Sequence, residues 1–382
     1  MLKFDTIVDD GESQVVQFSH FSVKEYLTSD RLANASRNVS CYHILPEFAH
    51  TILAQACLGV LLRLDDHVDE ENAGDIPLAN YAAEHWVDHA RFKGVSSPVQ
   101  DAVKVLLDVD KPHHAACLRL HDIDEGNLWY PFANRDAGMP RAPPLYYASF
   151  YGFYDLAKHL TVKHPEHVNA RGGLLVSPLG AALYRKHFDV ADLLHTHGAD
   201  VNVRCNREWM LLHVASRRGH VDTARWLLNH GAVVDAQPDI GWTPLHFATI
   251  HKCLEIVRML LEHNADIHAQ NDTGEVALHL AACCYEPHFR INTLRLMLDH
   301  GADVNATDNE GSTPLHHSSF RSPSPHIPYS MKGSVEGTRL LLEHGANIDA
   351  ENSKGETPFR LAMEEGHDEM VDFLWGLGTM YL

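Results

Sequence analysis

A segment of about 33 residues recurs along this chain from residue 142 onward, and this repetition limits the fold more than any other feature. Marker leucines stand at Leu179, Leu212, Leu245 and Leu278, each 33 residues after the one before. The interval before Leu179 is 34, and the intervals after Leu278 are 37 and 44, so the later units carry insertions. A second marker, Gly-Ala-Asp-Val-Asn and its variants, keeps the same step and begins at Gly198, Gly231, Asn264, Gly301 and Gly345. Two markers on one period indicate stacked units, because one unit cannot bury its apolar faces alone.

Each unit opens with a variant of Thr-Pro-Leu-His, written most plainly at Thr243–His246 and Thr313–His316. A Pro at the first helical position loses no hydrogen bond, and the preceding Thr can cap the helix. The Gly of the second marker stands where a helix end needs a left-handed residue. These motifs resemble the ankyrin-repeat family over residues 142–382.

The resemblance implies a mainly α fold, an ankyrin-repeat solenoid of about seven helix-turn-helix repeats with β-hairpin tips. The expected repeats are about 142–175, 176–208, 209–241, 242–274, 275–311, 312–355 and 356–382.

The first 140 residues do not repeat. Apolar residues alternate over 4–8 and 14–18 around Asp9-Asp10-Gly11, which predicts a hairpin, and a helix is expected through 21–27. Helical patterns follow near 42–64, 77–93 and 97–109. We expect a short segment at 1–30, a helical region at 31–120 and a linker at 121–141.

The strings Phe18–Leu27 and Tyr81–Trp86 resemble the segment that follows the NTPase module in fungal NACHT–ankyrin receptors. The resemblance implies that residues 1–30 are a remnant of a winged-helix-like segment and that a helical arm leads to the repeats. No G-x-x-x-x-G-K-[ST] phosphate loop occurs, so no nucleotide is expected. The chain is expected to be the ligand- or partner-binding end of such a receptor: a truncated gene product, a partial gene model or a free-standing paralogue.

The composition of the chain limits the classes of partner that it can bind. The chain has 51 acidic and 31 basic residues and a formal net charge of -20, which argues against nucleic-acid or anionic-membrane binding. The seven cysteines are scattered without a CxxC pair, which favours reduced thiols. The N-terminal residues have no apolar core of a signal peptide, and no run approaches the length of a membrane span. We expect a cytoplasmic protein, with the nucleus as the alternative.

No catalytic residue, cofactor or metal site is predicted. Most of the 30 histidines belong to the repeat motif or precede the helix-ending Gly, where local hydrogen bonds explain them. His85 and His89 are four residues apart but lack a third ligand, and His113-His114 is placed no better. Two alternatives to a binding module remain: an adaptor that joins a full-length receptor through its N-terminal region, and an enzyme with an unrecognised site in residues 1–140.

A stripe of aromatic and then basic residues predicts the binding surface on the concave face of the ankyrin stack. The residues five and six places after each marker leucine include Phe150, Tyr151, Tyr184, Arg185, Arg217, Arg218 and His251. Trp209 and Trp242 stand three places before the marker on neighbouring hairpins. Because Tyr, Trp and Arg are enriched in binding hot spots, we expect this stripe to bind an acidic or aromatic-containing segment of a protein partner. In the alternative interpretation, Trp242 packs under its hairpin and the arginines are merely solvated.

The insertion at residues 321–334 is rich in Pro and Ser and predicts a surface loop. Ser322 and Ser324 each precede a Pro and are candidate phosphorylation sites, with a simple loop extension as the alternative.

Overall fold

The computed structural model describes residues 8–9, 14–15, 46–64, 78–91, 96–108, 111–120, 142–204, 209–238, 241–284, 286–319 and 335–378. Their contacts divide the chain into two compact units, Met1–Trp129 and Tyr130–Leu382. The division falls within the predicted linker, although the predicted limits of the domains stay a prediction. The predicted helix at 21–27 and the Ser322–Ser324 loop lie outside the described residues.

Within its described residues, the first unit has four helices and a short pair of strands. In chain order they are β1 (Val8–Asp9), β2 (Gln14–Val15), α1 (Pro46–Leu61), α2 (Ala79–Ala90), α3 (Ser96–Leu106) and α4 (His113–Leu120). The strands pair antiparallel, with Val8 opposite Val15, inside the segment where the sequence predicts a hairpin. Helices α1 to α3 lie where the apolar periodicity placed them. Helix α4 had not been anticipated, since its eight residues give too short a pattern.

Seven helix pairs follow in the part of the second unit that the structure describes, and they confirm the mainly α repeat architecture. In repeat order the pairs are α5 (Pro144–Tyr151) and α6 (Tyr154–Lys163), α7 (Pro178–Tyr184) and α8 (Phe188–Thr196), α9 (Leu211–Arg218) and α10 (Val221–Asn229), α11 (Pro244–Ile250) and α12 (Leu254–Glu262), α13 (Ala277–Ala282) and α14 (Pro287–Asp299), α15 (Pro314–Ser319) and α16 (Val335–Glu343), and α17 (Pro358–Glu364) and α18 (Asp368–Gly378). The extra residues of the fifth repeat lengthen α14, which has 13 residues where α12 has 9.

The marker residues build the core and define the helix ends. The six marker leucines from Leu145 to Leu315 are at most 1% exposed, so they form a continuous buried line. Thr243 shows the predicted cap, since its hydroxyl accepts the backbone N–H of His246. The glycines of the second marker adopt φ between 83° and 88°, and Asn264 takes the same left-handed role at φ 60°.

Side chains of the motif tie each repeat to the chain beyond it. The motif His accepts a backbone N–H from its own helix start at Nδ1, 3.1 Å away at His246, and its Nε2–H donates to the carbonyl of Glu275 at 3.1 Å. The same double contact is made by His213, His279 and His316. A second link comes from Asn202, whose amide donates to Gly231 O and whose oxygen accepts Val233 N. Both links recur along the stack, so neighbouring repeats share hydrogen bonds that are mostly buried at the His and exposed at the Asn.

Tight turns stand where β-hairpin tips were predicted. Among the described residues of this unit, strand-like pairing is limited to an isolated bridge between Arg204 and Met210. At Asn271 the side-chain oxygen accepts the backbone N–H groups of Thr273 and Glu275 at 3.0 and 2.9 Å. This side-chain turn satisfies the donors that a strand ladder would otherwise use.

Candidate partner-binding surface

The residues of the predicted stripe lie at three depths in the structure. Arg185, Arg218 and His251 are exposed, and Tyr151, Tyr184 and Arg217 are half-buried. Phe150, Trp209 and Trp242 are buried, at 5%, 6% and 2% exposure. The three buried aromatic residues therefore support the surface from beneath, while the three exposed basic residues face solvent.

The two tryptophans share one core cluster. Trp209 packs against Phe247 with ring centroids 4.4 Å apart, and Trp242 meets the same ring at 5.3 Å. Leu280 completes the cluster, with Val214 and Ile250 at its border. The position of Trp242 agrees with the alternative interpretation, in which it packs under its turn.

Two arginines of the stripe lie over aromatic rings. The Arg185 guanidinium stands 4.9 Å from the centre of the Phe150 ring, in the preceding repeat. The Arg217 guanidinium stands 5.6 Å from the centre of the Trp209 ring. Such cation–π contacts contribute roughly 0.5–1 kcal/mol at exposed sites and limit the motion of the charged head. The second half of the alternative, freely solvated arginines, therefore does not describe Arg185 and Arg217.

Positive charge is concentrated along this edge. Loss of hydration lowers the pKa of His251, and the neighbouring charges of Arg217 and Arg218 lower it further. The pKa of His220 falls for the same reasons, with partial burial first and then Lys186 and Arg218. These imidazoles respond to a local positive potential although the chain carries a formal net charge of -20.

Two lysines that sequence reasoning missed extend the basic edge. Lys186 and Lys252 take φ values of 61° and 60°, in the left-handed region that disfavours L side chains. The equivalent residues of repeats one and three are Gly152 and Gly219, at φ 75° and 68°. The signal was present in the sequence, because a Lys replaces the Gly that ends the first helix in other repeats. We define the basic edge as Arg185, Lys186, Arg217, Arg218, His251 and Lys252.

The histidines of the first unit that the structure describes do not form a group of metal ligands. His89 is buried, with its Nδ1 3.0 Å from His50 Nδ1 and its Nε2 3.1 Å from the Tyr81 hydroxyl. His85 instead lies 3.6 Å from Glu84. His113 Nδ1 donates to the carbonyl of Leu64 at 2.9 Å, a structural contact. A closer group of possible ligands lies in the second unit, where His164, Glu166 and His167 meet at the end of α6.

The cysteines of the described residues are reduced and unreactive in character. Burial raises the pKa of the Cys57 thiol to about 11 and that of Cys117 to about 12. A thiol that stays protonated is a poor nucleophile and a poor metal ligand. None of the helices in the described ranges is long and apolar enough to cross a membrane.

Comparison with known proteins identifies the repeat. A family model of ankyrin repeats in three copies matches residues 179–271 and 264–327, and a model of one ankyrin repeat matches residues 310–353. Residues 179–353 are ankyrin repeats. The helix pairs α5–α6 and α17–α18 continue the same architecture on either side. Stacked ankyrin repeats act as protein–protein interaction modules, because their surfaces vary while the scaffold stays constant.

Two curated proteins share part of this sequence. The chain is 31% identical over 215 residues to the azaphilone pigments biosynthesis cluster protein L of Monascus ruber, which covers 53% of the chain and 45% of that protein. It is 42% identical over 62 residues to alpha-latrocrustotoxin-Lt1a of Latrodectus tredecimguttatus, covering 16% of the chain and 4% of the toxin. The chain thus spans less than half the length of each of these two matched proteins.

Proposed function

We propose that the ankyrin array is a non-catalytic binding module that holds an acidic segment of a protein partner on its basic edge. The observation that supports this most is the repetition of basic side chains at one place in repeats two, three and four of a strongly acidic chain. Regular spacing along a solenoid suits an extended partner, since each repeat meets a successive part of it.

The basic edge is held in position before any partner arrives. Arg185 and Arg217 rest on aromatic rings, so less side-chain entropy is lost on binding than for free arginines. Lys186 and Lys252 occupy left-handed positions at a cost of about 1–2 kcal/mol each. Strain of this kind is a reason to look for function at those residues. The stripe lies on the first helices, which in ankyrin stacks line the concave face.

A triple substitution tests the proposal on the full chain. Arg185→Ala, Arg217→Ala and Arg218→Ala together should abolish capture of partners from lysate while the far-UV circular dichroism spectrum is unchanged. The matched control is Lys158→Ala, Arg258→Ala and Arg295→Ala, which removes three exposed positive charges from second helices. Equal capture by the two triple variants would exclude the basic edge as the binding site.

We further propose that the chain is the partner-binding end of a NACHT–ankyrin type receptor or a shortened paralogue of one. The N-terminal strings Phe18–Leu27 and Tyr81–Trp86 support this, together with a matched relative that is also fungal. Reading the gene upstream of Met1 tests the idea: an in-frame phosphate loop would identify a receptor fragment, and its absence would leave the shortened paralogue.

An adaptor is the second candidate, because apolar side chains are exposed on the first unit. Phe48 and Ile52 are 61% and 48% exposed and four residues apart on α1, so they share one helix face. If Phe48→Ser with Ile52→Ser removes partner capture and the triple arginine variant does not, the adaptor function replaces the basic-edge proposal.

A further inference from the structure

Helix α6 of the first repeat ends in a compact group of possible metal ligands. His164 follows the helix directly, and residues Pro165–His167 form one turn of 3-10 helix. His164 Nδ1 lies 3.2 Å from Glu166 Oε1, and His167 Nε2 lies 3.9 Å from the same oxygen. One ligand atom from each of the three residues lies within 4.8 Å of the other two. An ion between them would need only small side-chain movements.

The same place in five later repeats shows what His164 would otherwise do. The equivalent histidines each donate Nδ1–H to the carbonyl four residues earlier, over 2.7 to 2.9 Å, and they are His197, His230, His263, His300 and His344. His164 has turned away from that contact toward Glu166. The cause is Pro165, which stands where those repeats have Gly or Asn and excludes the preceding residue from the helical region. His164 accordingly has φ -134° and ψ 68°, against -94° and 17° at His197.

The protein's own hydrogen bonds leave this group incompletely satisfied. In each ring the nitrogen that does not face Glu166, His164 Nε2 or His167 Nδ1, is shielded from solvent and has no hydrogen-bond partner. The two rings are nearly parallel, with centroids 5.0 Å apart, so both present nitrogen to the same carboxylate. Glu166 is 64% exposed, which provides an entry path from solvent.

We propose that His164, Glu166 and His167 bind a divalent transition-metal ion of the zinc class. Two imidazole nitrogens and one carboxylate oxygen form a common set of three protein ligands for Zn²⁺, with water in the remaining position. Nitrogen ligands disfavour the hard cations Mg²⁺ and Ca²⁺, which take oxygen. The bound ion would fix the turn between the first and second repeats. This inference is independent of the partner proposed for the basic edge.

Metal titration of the full chain tests the site. The chelator-treated protein is titrated with Zn²⁺ by calorimetry and with Co²⁺ by visible absorption. His164→Gln with His167→Gln should lose one equivalent of the tightest binding, and Glu166→Gln should weaken it about tenfold or more. The matched control, His263→Gln with His300→Gln, removes two exposed histidines at the same repeat position and should keep that equivalent. Binding should weaken from pH 7.5 to pH 5.5, since protons compete for the imidazoles.

Two results would overturn the proposal. One is a double variant, His164→Gln with His167→Gln, that binds the same number of ions with the same affinity as the matched control. The other is an unchanged affinity of Glu166→Gln for Zn²⁺. Because the Glu166 side chain is exposed and can be replaced without disturbing the fold, this variant tests the proposal even if the double variant does not fold.

Discussion

Acidification is expected to unfold the repeat array through its buried motif histidines. The side chains of His213, His246 and His279 are at most 1% exposed, and both ring nitrogens are engaged in the neutral form. Loss of hydration is the largest reason that the pKa falls to about 4 for His213 and His246 and to about 3 for His279. In the unfolded chain each pKa should return to about 6.5.

The sign of the effect follows from these values. Each folded-state pKa is lower than the unfolded one, so the unfolded chain binds more protons as the pH falls. The stabilisation is fully present above pH 6.5 and is lost as the pH drops from there toward about 4. At pH 5 each histidine should cost about 2 kcal/mol of unfolding free energy, or roughly 6 kcal/mol for the three. Since many domains are stable by only about 5–15 kcal/mol, this loss is large enough to unfold the array.

Urea unfolding followed by far-UV circular dichroism at pH 7.5, 6 and 5 measures this loss. His279→Gln removes one of the three groups, so the dependence of unfolding free energy on pH should decrease by about a third. His300→Gln is the control, because His300 is exposed and ends a helix. Equal pH dependence in the two variants, or a wild-type chain as stable at pH 5 as at pH 7.5, would refute the reasoning.

Other substitutions probe the packing. Trp242→Ala should lower stability by about 3–5 kcal/mol, because it removes the contact with Phe247, and an unchanged melting temperature would contradict its place in the core. His317→Leu removes the donor 2.8 Å from the Asp308 carboxylate and leaves that carboxylate only the backbone N–H groups of Glu310 and Ser312; we expect a loss of about 1–3 kcal/mol in urea. Lys252→Gly relieves left-handed strain and should raise stability by about 1 kcal/mol, whereas a lower melting temperature would argue against it.

The fold was predictable because each residue of the repeat motif has its own structural role and recurs at the same interval. The marker Leu packs in the core, the Pro before it begins a helix and the Gly of the second marker ends one. The spacing of these residues therefore predicted the positions of the helix pairs. The missed α4 and the turns in place of hairpin tips are local features. The conformation of the turns depends on side-chain hydrogen bonds, such as those of Asn271, that the repeat pattern does not predict.

The candidate surface was only partly predictable. The number of residues from the marker Leu predicts which face of the repeat a side chain lies on, but it does not predict how far that side chain is buried. Trp209 and Trp242 are buried because both pack against Phe247. Lys186 and Lys252 stand where other repeats have the Gly that ends the first helix, and this replacement was the sequence signal that the offset from the marker Leu did not use. The ligand group at His164 depends on one Pro that changes the direction of a ring.

The hydrogen bonds that join the repeats give the array a direction. Each motif His finds its acceptor 23 to 40 residues further along the chain, as His213 does at Ala236 and His316 at Glu356. Deleting a repeat from the C-terminal side would therefore leave a buried imidazole N–H without an acceptor. Deletion from the N-terminal side would leave carbonyls at the histidine links and, at the link of Asn202, the exposed N–H of Val233, and water can solvate both kinds of group. In the seventh repeat Arg360 stands in the place of the His and pairs with Glu364 of its own helix at 3.0 Å. Shortening from the front should thus be tolerated better than shortening from the back.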